Sequence, residues 1–246
     1  MPEGPSIVIL KEEALVFMGK KVVRTAGNTK VDVSRIKGRK ILDLNSWGKH
    51  FLICFDDFFI RIHLMMFGSY RINDQKDSPV RLSFVFSKGE LNFYNCSVKI
   101  IDSQAGDHYD WASDTMSGEW AGDKAFRSLR GSPGSMVCDV LLDQNVFSGV
   151  GNIIKNEVLF ITHIHPEAIV RDLPVKKLRE LIEVTWNYCF DFYKWKKIYE
   201  LKKHWQIYRK SICSRCNIRL NIRYSGKTHR KTYFCENCQF SNRAAF

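Results

Sequence analysis

Two Cys-x-x-Cys pairs near the end of the chain are the residues whose spacing points most directly to a chemistry. Cys213 and Cys216 form the first pair, Cys235 and Cys238 the second, and 18 residues lie between the pairs. Two such loops can place four thiolates in the tetrahedral arrangement that a structural Zn²⁺ prefers. Two disulfides or free thiols are the alternatives. Because the other four cysteines stand singly in apolar surroundings, as reduced thiols of a cytosolic protein do, the pattern predicts one structural zinc ion per chain.

The segment between the two cysteine pairs is basic and carries aromatic residues. Its basic residues are Arg219, Arg223, Lys227, His229, Arg230 and Lys231, and its tyrosines are Tyr224 and Tyr233. A rigid hairpin that displays Arg and aromatic side chains is suited to contact a phosphate backbone or a groove of nucleic acid. A protein partner is the alternative, because zinc ribbons also bind proteins. A module of this size buries little apolar surface, so we expect zinc to supply most of its folding free energy.

The formal net charge of +12 is concentrated at the end of the chain. Residues 207–246 hold nine Lys and Arg against one Glu, whereas residues 1–120 hold 16 against 15 acidic residues and residues 121–206 hold 13 against 10. A small basic module attached to a nearly neutral body is typical of a protein that binds a phosphate backbone. A solvated surface that only aids solubility would account for the charge equally well.

A glycine-rich interruption between two helical runs is a second candidate binding site. The run from Leu142 stops at Gly149, and a new helical run starts after Gly151. Asn152 at that start can cap the new helix, while free amides and Lys155 offer a site for a phosphate. The pattern predicts a helix-turn-helix with phosphate-binding chemistry, although a purely structural turn has the same signature.

The start of the chain offers a nucleophile. If Met1 is removed, Pro2 presents a secondary amine that can attack an aldehyde-level sugar carbon and form an iminium, and Glu3 lies within reach to move protons. A proline after the initiator methionine is by itself no evidence of a function. Lys49, in Trp47-Gly48-Lys49-His50, enters a predicted strand, and most lysines at such positions are only solvated.

The elements that must position these residues follow from apolar periodicity. Apolar residues at helical spacing after Gly4-Pro5 predict a helix that ends near Gly19. From about 39 to 101 the period changes to two, with turn signals at Asp56-Asp57 and Lys88-Gly89, which predicts an antiparallel sandwich or barrel. Residues 103–120 are rich in Asp, Ser and Gly and are predicted to be a linker. Helical periodicity then covers about 122–130, 134–145, 151–160 and 175–199.

We therefore predict a multi-domain protein of α and β structure in three parts. An N-terminal helix with an antiparallel β-sandwich occupies 1–118, a helical DNA-binding domain 119–206, and a four-cysteine zinc β-hairpin 207–246. No apolar run approaches the roughly 18 to 20 residues of a membrane helix, and no basic-then-apolar leader begins the chain. We expect a soluble monomer without a membrane partner, cytoplasmic and nucleoid-associated if its source is bacterial.

In combination, these features resemble the formamidopyrimidine-DNA glycosylase and endonuclease VIII family. The start Pro2-Glu3-Gly4-Pro5, the Gly48-Lys49 strand entry, the segment from Gln144 to Lys155 and the four-cysteine hairpin occur in the order and spacing of that family. Each signal is weak or moderate, but four in one order are highly specific. The resemblance implies base-excision repair of damaged double-stranded DNA, with zinc in a structural role and no other cofactor.

The resemblance also implies a role for each matching residue. Pro2 corresponds to the Schiff-base nucleophile, and Glu3 to the acid/base that protonates the sugar ring oxygen. Lys49 matches the lysine that assists at the phosphate and in elimination. Asn152 matches the phosphate binder of the helix–two-turn–helix, and Arg230 matches the arginine of the zinc hairpin. The implied enzyme is a bifunctional DNA glycosylase and abasic-site lyase that acts by β,δ-elimination.

The segment from His63 to Gly68 resembles the family loop that fills the space left by an extruded nucleotide. Met65, Met66 and Phe67 stand where endonuclease VIII proteins often have Gln, Leu and Tyr. Apolar side chains there suit a wedge that replaces lost stacking, although ordinary core residues would have the same composition.

The absence of one loop motif indicates the branch of the family. No Asp-x-Arg-x-Phe-Gly loop of the formamidopyrimidine branch is found in residues 90–115. The resemblance is therefore to the endonuclease VIII branch, which implies oxidised pyrimidines as substrates. An enzyme for oxidised purines and a non-catalytic damaged-DNA-binding protein are the two alternatives.

Overall fold

The computed structural model describes residues 2–241. Met1, on whose removal the prediction for Pro2 depends, lies outside the described residues, as do residues 242–246. The chain folds as two compact units, Met1–Tyr109 and Asp110–Phe246. Among the described residues, no helix combines the length and the apolar composition that crossing a bilayer requires.

The first unit begins with helix α1, Gly4–Ala14, followed by a 3₁₀ turn at Leu15–Phe17. Pro5 in the first turn is compatible with a helix start because it lacks an N–H that would have no partner there. Ile7, Leu10 and Ala14 line one face of the helix and are buried. This face packs against strands β2 (Asp43–Trp47) and β3 (His50–Cys54). Packing of this face therefore anchors the start of the chain.

Two four-stranded antiparallel sheets form the rest of the first unit, in the orders β1-β6-β7-β5 and β2-β3-β4-β8. Apolar side chains from both sheets and from α1 share one core, which confirms the predicted sandwich. A short helix α2, Ala105–His108, follows the last strand. The strands are β1 Arg24–Ala26, β2 Asp43–Trp47, β3 His50–Cys54, β4 Phe59–His63, β5 Ser69–Ile72, β6 Leu82–Val85, β7 Glu90–Tyr94 and β8 Ser97–Ile101.

The second unit is helical and ends in a β-hairpin. The longest helix, α6, buries a stripe that includes Leu178, Leu181, Cys189 and Phe192, as its periodicity predicts. The hairpin strands pair in antiparallel register from Arg230 opposite Ser225 to Phe234 opposite Asn221. The elements are α3 Gly122–Gly131, α4 Val137–Leu142, α5 Asn152–Ile161, α6 Val175–Lys197, β9 Asn221–Ser225 and β10 Arg230–Phe234.

The boundaries of the compact units differ from the predicted three parts. The first unit ends at Tyr109 instead of 118, because the predicted linker contains α2 and a 3₁₀ turn at Trp111–Ser113. The hairpin is part of the second unit, since Leu220, Tyr233 and Cys235 are buried in the same core as the helices. The expectation that the hairpin buries little apolar surface is therefore wrong for this chain.

Candidate functional site

Glu3 is the N-cap residue of α1, and its side chain is withdrawn from solvent, with 1 % of the residue exposed. Its backbone N–H donates to the Ser6 hydroxyl at 3.4 Å, and its carbonyl accepts from the Ser6 N–H at 2.8 Å. Both contacts hold the chain at the first turn of the helix. Pro2, half-buried, precedes this anchored residue, so the Pro2 nitrogen, an amine only after removal of Met1, and a buried carboxyl group belong to neighbouring residues.

Lys49 lies in the two-residue turn that joins β2 to β3. Gly48 takes the first turn position with φ of +51°, a conformation that suits glycine in the tight turns of β-hairpins. Trp47 and His50 close the ladder on either side of the turn, and the ring of Tyr109 stacks on Trp47 at 4.7 Å. The base of the turn is therefore held rigidly.

The turn and the start of α1 lie on elements that pack together. Gly19, just beyond the helical segment, donates its N–H to the carbonyl of Ile41, two residues before β2. The carboxyl end of α1 is thus near the beginning of β2. α1 itself packs against β2 and β3, the two strands that the turn with Lys49 joins.

The surroundings of Lys49 are positively charged. Burial, then Arg61 and His63, lower the pKa of His50 to about 3. Burial, then Lys49 and Arg61, also lower the pKa of His63. The His50 imidazole is therefore neutral at neutral pH, and its Nδ1 is buried without a hydrogen-bond partner. The cations here are Lys49 and Arg61, which lower both pKa values, and two neighbouring cations favour an anion such as a phosphate.

The loop between β4 and β5 exposes three apolar side chains in a row. Met65, Met66 and Phe67 are all exposed, Phe67 to 81 %. The Met65 N–H donates to His63 Nδ1 at 3.1 Å, which ties the loop to the end of β4. At Gly68 an added Cβ would meet the Leu64 carbonyl oxygen at 1.9 Å, so this tight turn requires glycine. The three side chains are not part of the core, and their exposure suits the predicted wedge.

The glycine-rich segment between α4 and α5 is a turn fastened by one amide side chain. Gln144 Nε2 donates to the carbonyls of Leu142 and Val150 at 2.8 and 3.2 Å, and its Oε1 accepts from the Gly149 N–H at 3.2 Å. Gly149 has φ of +98°, which explains the glycine there. Gly151 is the N-cap of α5, and Asn152 makes no cap hydrogen bond, so the prediction that Asn152 caps the helix is wrong.

Three polar side chains on one face of α5 bind three consecutive residues of β10. Asn152 Nδ2 donates to the Lys231 carbonyl at 2.8 Å, and the Tyr233 N–H donates to Asn156 Oδ1 at 2.8 Å. Between them, Lys155 Nζ donates to the Thr232 hydroxyl at 2.8 Å. We call these three side chains the α5 clamp. The side-chain Oδ1 of Asn152 is buried without a partner.

The position of Lys155 corrects its predicted role. We expected Lys155 and exposed amides to offer a site for a phosphate, but Lys155 is 0 % exposed and donates to Thr232 of β10. A lysine at i+3 from Asn152 lies on the same helix face, and β10 covers that face. Lys155 therefore holds the hairpin and is not available to a ligand in this structure.

Further polar contacts that sequence reasoning missed hold the hairpin from the other side. Glu167 accepts from Arg223 at 3.1 and 2.6 Å and from the Ser225 hydroxyl at 2.9 Å. Asp139 on α4 accepts from the backbone N–H of Lys227 at 2.8 Å. Arg223 is thus engaged within the protein, whereas Arg230 is exposed at the start of β10. No local signal could reveal Glu167, because its partners lie 56 and 58 residues away.

The four predicted cysteines come together at the base of the hairpin. Their sulfur atoms all lie within 4.8 Å of one another, and Sγ of Cys213 is 3.8 Å from Sγ of Cys238. With Zn–S bonds of about 2.3 Å, sulfurs at the corners of a tetrahedron are roughly 3.8 Å apart. Burial raises the pKa of Cys213, but N–H groups of Cys216 and Arg215 reverse this and leave it at about 7. The cluster therefore suits a structural zinc ion.

A helix-led β-sandwich, together with a helix-turn-helix that carries a four-cysteine hairpin, defines a class of DNA-repair protein. The profile of the "Formamidopyrimidine-DNA glycosylase N-terminal domain" matches residues 1–97, and that of the "Formamidopyrimidine-DNA glycosylase H2TH domain" matches residues 112–188. The chain belongs to the formamidopyrimidine-DNA glycosylase and endonuclease VIII family.

Relatives and solved structures agree with this assignment. Endonuclease 8-like 3 of Bos taurus is 32 % identical over 87 % of this chain, and the match spans 37 % of that protein. The chain thus spans little more than a third of the length of that relative. Endonuclease 8-like 2 of Bos taurus is 27 % identical, with 97 % of this chain and 96 % of that protein covered.

The fold matches that of solved members. The Lactococcus lactis formamidopyrimidine-DNA glycosylase, bound non-covalently to DNA with an abasic site, superposes with a TM-score of 0.84 at 22 % identity, covering 96 % of this chain and 99 % of that one. A viral DNA glycosylase superposes with a TM-score of 0.82 at 21 % identity, covering 97 % and 100 %.

Proposed function

We propose that this protein is a bifunctional DNA glycosylase that excises an oxidised base and then cleaves the strand. The observation that carries the proposal is the buried carboxyl group of Glu3 beside Pro2, on a helix start anchored against the sheet that bears Lys49. The structural need for a helix N-cap would be met better by Ser, Asp or Asn than by Glu. A buried carboxyl group next to a terminal secondary amine suits acid/base and nucleophilic work.

The proposed reaction begins when the damaged nucleotide leaves the base stack, because an amine cannot reach C1′ inside it. Once Met1 is removed, the Pro2 nitrogen forms a bond to C1′ while the bond from C1′ to the base breaks, and the base leaves with the proton that the Pro2 nitrogen loses. Glu3 donates its proton to the ring oxygen as the C1′–O4′ bond opens, which leaves an iminium between Pro2 and C1′.

Strand cleavage follows from the iminium. The cationic nitrogen acidifies the C2′–H, and loss of that proton expels the 3′ phosphate; a second elimination expels the 5′ phosphate. Lys49, in its positive surroundings, assists at the phosphate. Hydrolysis of the iminium then restores the Pro2 amine. The product is a one-nucleotide gap with phosphate at both ends, and zinc at the four cysteines would supply folding energy only.

We propose oxidised pyrimidines in damaged double-stranded DNA as the substrates. The missing Arg-Phe loop in residues 90–115 and the similarity to Endonuclease 8-like 3 support this choice. The alternative is oxidised purines, because similar structures include a formamidopyrimidine-DNA glycosylase with DNA that contains a Fapy-dG lesion. Another similar structure holds DNA with an oxidised pyrimidine. We expect the protein to excise thymine glycol faster than it excises 8-oxoguanine from matched duplexes.

We propose that each unit has DNA contacts of its own. Met65, Met66 and Phe67 would fill the space of the extruded nucleotide, which their exposure supports. Asn152 and Arg230 would contact the phosphate backbone. Arg230 is exposed, and Asn152 Nδ2, which gives one N–H to the Lys231 carbonyl, has a second N–H for a phosphate oxygen. Lys155 is excluded from this set by its burial.

The salt dependence of DNA binding should show that Arg230 contacts a phosphate and that Lys155 does not. Each phosphate contact changes the slope of log K against log salt by about 0.9. We expect Arg230→Met to reduce the magnitude of this slope by about 0.9, the value for one phosphate contact. Lys155→Met should leave the slope unchanged, because Lys155 binds Thr232. Titration of a labelled duplex at four salt concentrations provides the measurement. A flattened slope for Lys155→Met would place that lysine on a phosphate.

The test of the proposed function is covalent trapping. The purified protein, with Met1 shown by mass spectrometry to be absent, is mixed with duplex DNA that contains thymine glycol or an abasic site, and borohydride is added. Reduction of the iminium should give a complex that survives denaturation. DNA binding without any trapped species would instead favour a non-catalytic damaged-DNA-binding protein.

A further inference from the structure

A tyrosine occupies the turn that ends the longest helix. After α6, the N–H of Tyr199 donates to the Lys196 carbonyl at 3.1 Å, and the N–H of Glu200 donates to the Trp195 carbonyl at 2.8 Å. This pair of bonds is the Schellman motif, in which the residue at the position of Tyr199 adopts the left-handed conformation and is usually glycine. Tyr199 has φ of +60°.

The conformation of Tyr199 costs stability that its side chain does not recover. Left-handed backbone is unfavourable for a residue with a Cβ, and most of all for a bulky one. The side chain is 96 % exposed, so it buries almost no apolar surface in return. Residues held in strained backbone conformations cluster at active sites, ligand clamps and switch regions.

The surface around Tyr199 is strongly basic. Residues 194–210 contain seven Lys and Arg and a single acidic residue. That residue, Glu200, forms an ion pair with Lys203. Lys197, Lys202 and Lys203 are exposed. The seventeen-residue segment thus carries a net charge of +6, which attracts a polyanion.

The segment is also rigid. The ring of His204 stacks on Trp195 at 4.1 Å with an angle of 6° between the planes, which fixes the 3₁₀ turn Leu201–His204 against α6. Beyond it, the buried carboxylate of Glu157 accepts the N–H groups of Gln206, Ile207 and Tyr208 at 2.8, 3.1 and 2.7 Å. Tyr199 is therefore an exposed ring on a fixed support.

We propose that Tyr199 and the lysines beside it form a stacking site for an unpaired nucleotide of a DNA strand. The base would stack on the Tyr199 ring, while Lys202 and Lys203 contact the adjoining phosphates. An aromatic ring set among cations is the arrangement by which proteins bind single-stranded nucleic acid. The proposal goes beyond the lesion chemistry, because the site requires neither Pro2 nor a damaged base.

The test measures affinity for undamaged DNA by fluorescence anisotropy, with a labelled oligo-dT of about twelve nucleotides and a blunt duplex of equal length. Stacking of one base contributes a factor of about 5 to 150, so Tyr199→Ala should weaken oligo-dT binding at least about fivefold and leave duplex binding unchanged. Tyr199→Trp should retain the affinity for oligo-dT. Lys202→Glu with Lys203→Glu should weaken oligo-dT binding more than Lys30→Glu with Lys37→Glu, which makes the same charge change at exposed lysines of the first unit.

Two results would overturn the proposal: equal oligo-dT affinity in Tyr199→Ala and the unchanged protein, or an equal loss for oligo-dT and duplex. Tyr199→Gly also removes the ring, but glycine relieves the backbone strain and should raise the thermal midpoint. A loss of oligo-dT affinity in this variant therefore cannot be caused by unfolding. Borohydride trapping on an abasic duplex should be unaffected by Tyr199→Gly, so failure of the stacking site and failure of the proposed lyase give different results.

Discussion

Pro2→Gly is expected to reduce the borohydride-trapped complex on an abasic duplex by on the order of 100-fold. The secondary amine of proline gives an iminium that is cationic at every pH, whereas the imine of a glycine amine must first be protonated. Glycine also loses the ring that fixes φ near −65° and with it the direction of the amine. A denaturing gel of the reduced mixture over time measures the effect.

Glu3→Gln is the matched control for this experiment. It keeps the Pro2 amine and nearly the same side-chain volume at a position that is 1 % exposed, but removes the proton donor. We expect base excision to fall by about 10²- to 10⁴-fold. Trapping on a preformed abasic site should persist, because that sugar already opens to an aldehyde without the enzyme. Equal trapping by Pro2→Gly and the unchanged protein would contradict Pro2 as the nucleophile.

Loss of the four-cysteine metal site is expected to destabilise the helices of the second unit as well as the hairpin. Cys235 is fully buried in the core that contains α4, α5 and α6, and the α5 clamp joins β10 to α5. We expect Cys235→Ser to cost on the order of 4 kcal/mol or more, which lowers the thermal midpoint by roughly 8 to 16 °C. Hydrogen exchange should show lost protection in α5 together with residues 207–241.

Cys138→Ser provides the control, because Cys138 is a single buried thiol in the same core. Burial raises its pKa to about 11, so it stays protonated and has no place in the metal site. A zinc chelator should lower the thermal midpoint of Cys138→Ser as much as that of the unchanged protein, and should have little effect on Cys235→Ser. Loss of protection confined to residues 207–241 would show that the hairpin folds on its own.

The elements with strong periodicity and the short-range motifs were predictable from the sequence. The apolar stripe of α6 and the period of two in the strands depend only on which residues meet a core. Cys-x-x-Cys pairs are equally local, and the four sulfurs do converge. By contrast, β1 has three residues, too few to show a period, and its place beside β6 depends on pairing with residues about 60 positions away.

The sequence by itself determined the family, the two kinds of secondary structure, the four cysteines, and the candidate nucleophile with its neighbouring carboxyl group, because each is encoded by residue type and local spacing. Only the tertiary structure decided which polar groups face solvent. Lys155 and Arg230 are both cations near a predicted phosphate site, but β10 covers the first and leaves the second exposed. The solvent exposure and the hydrogen-bond partners of a side chain depend on residues far apart in the chain, so they could not be predicted from local sequence.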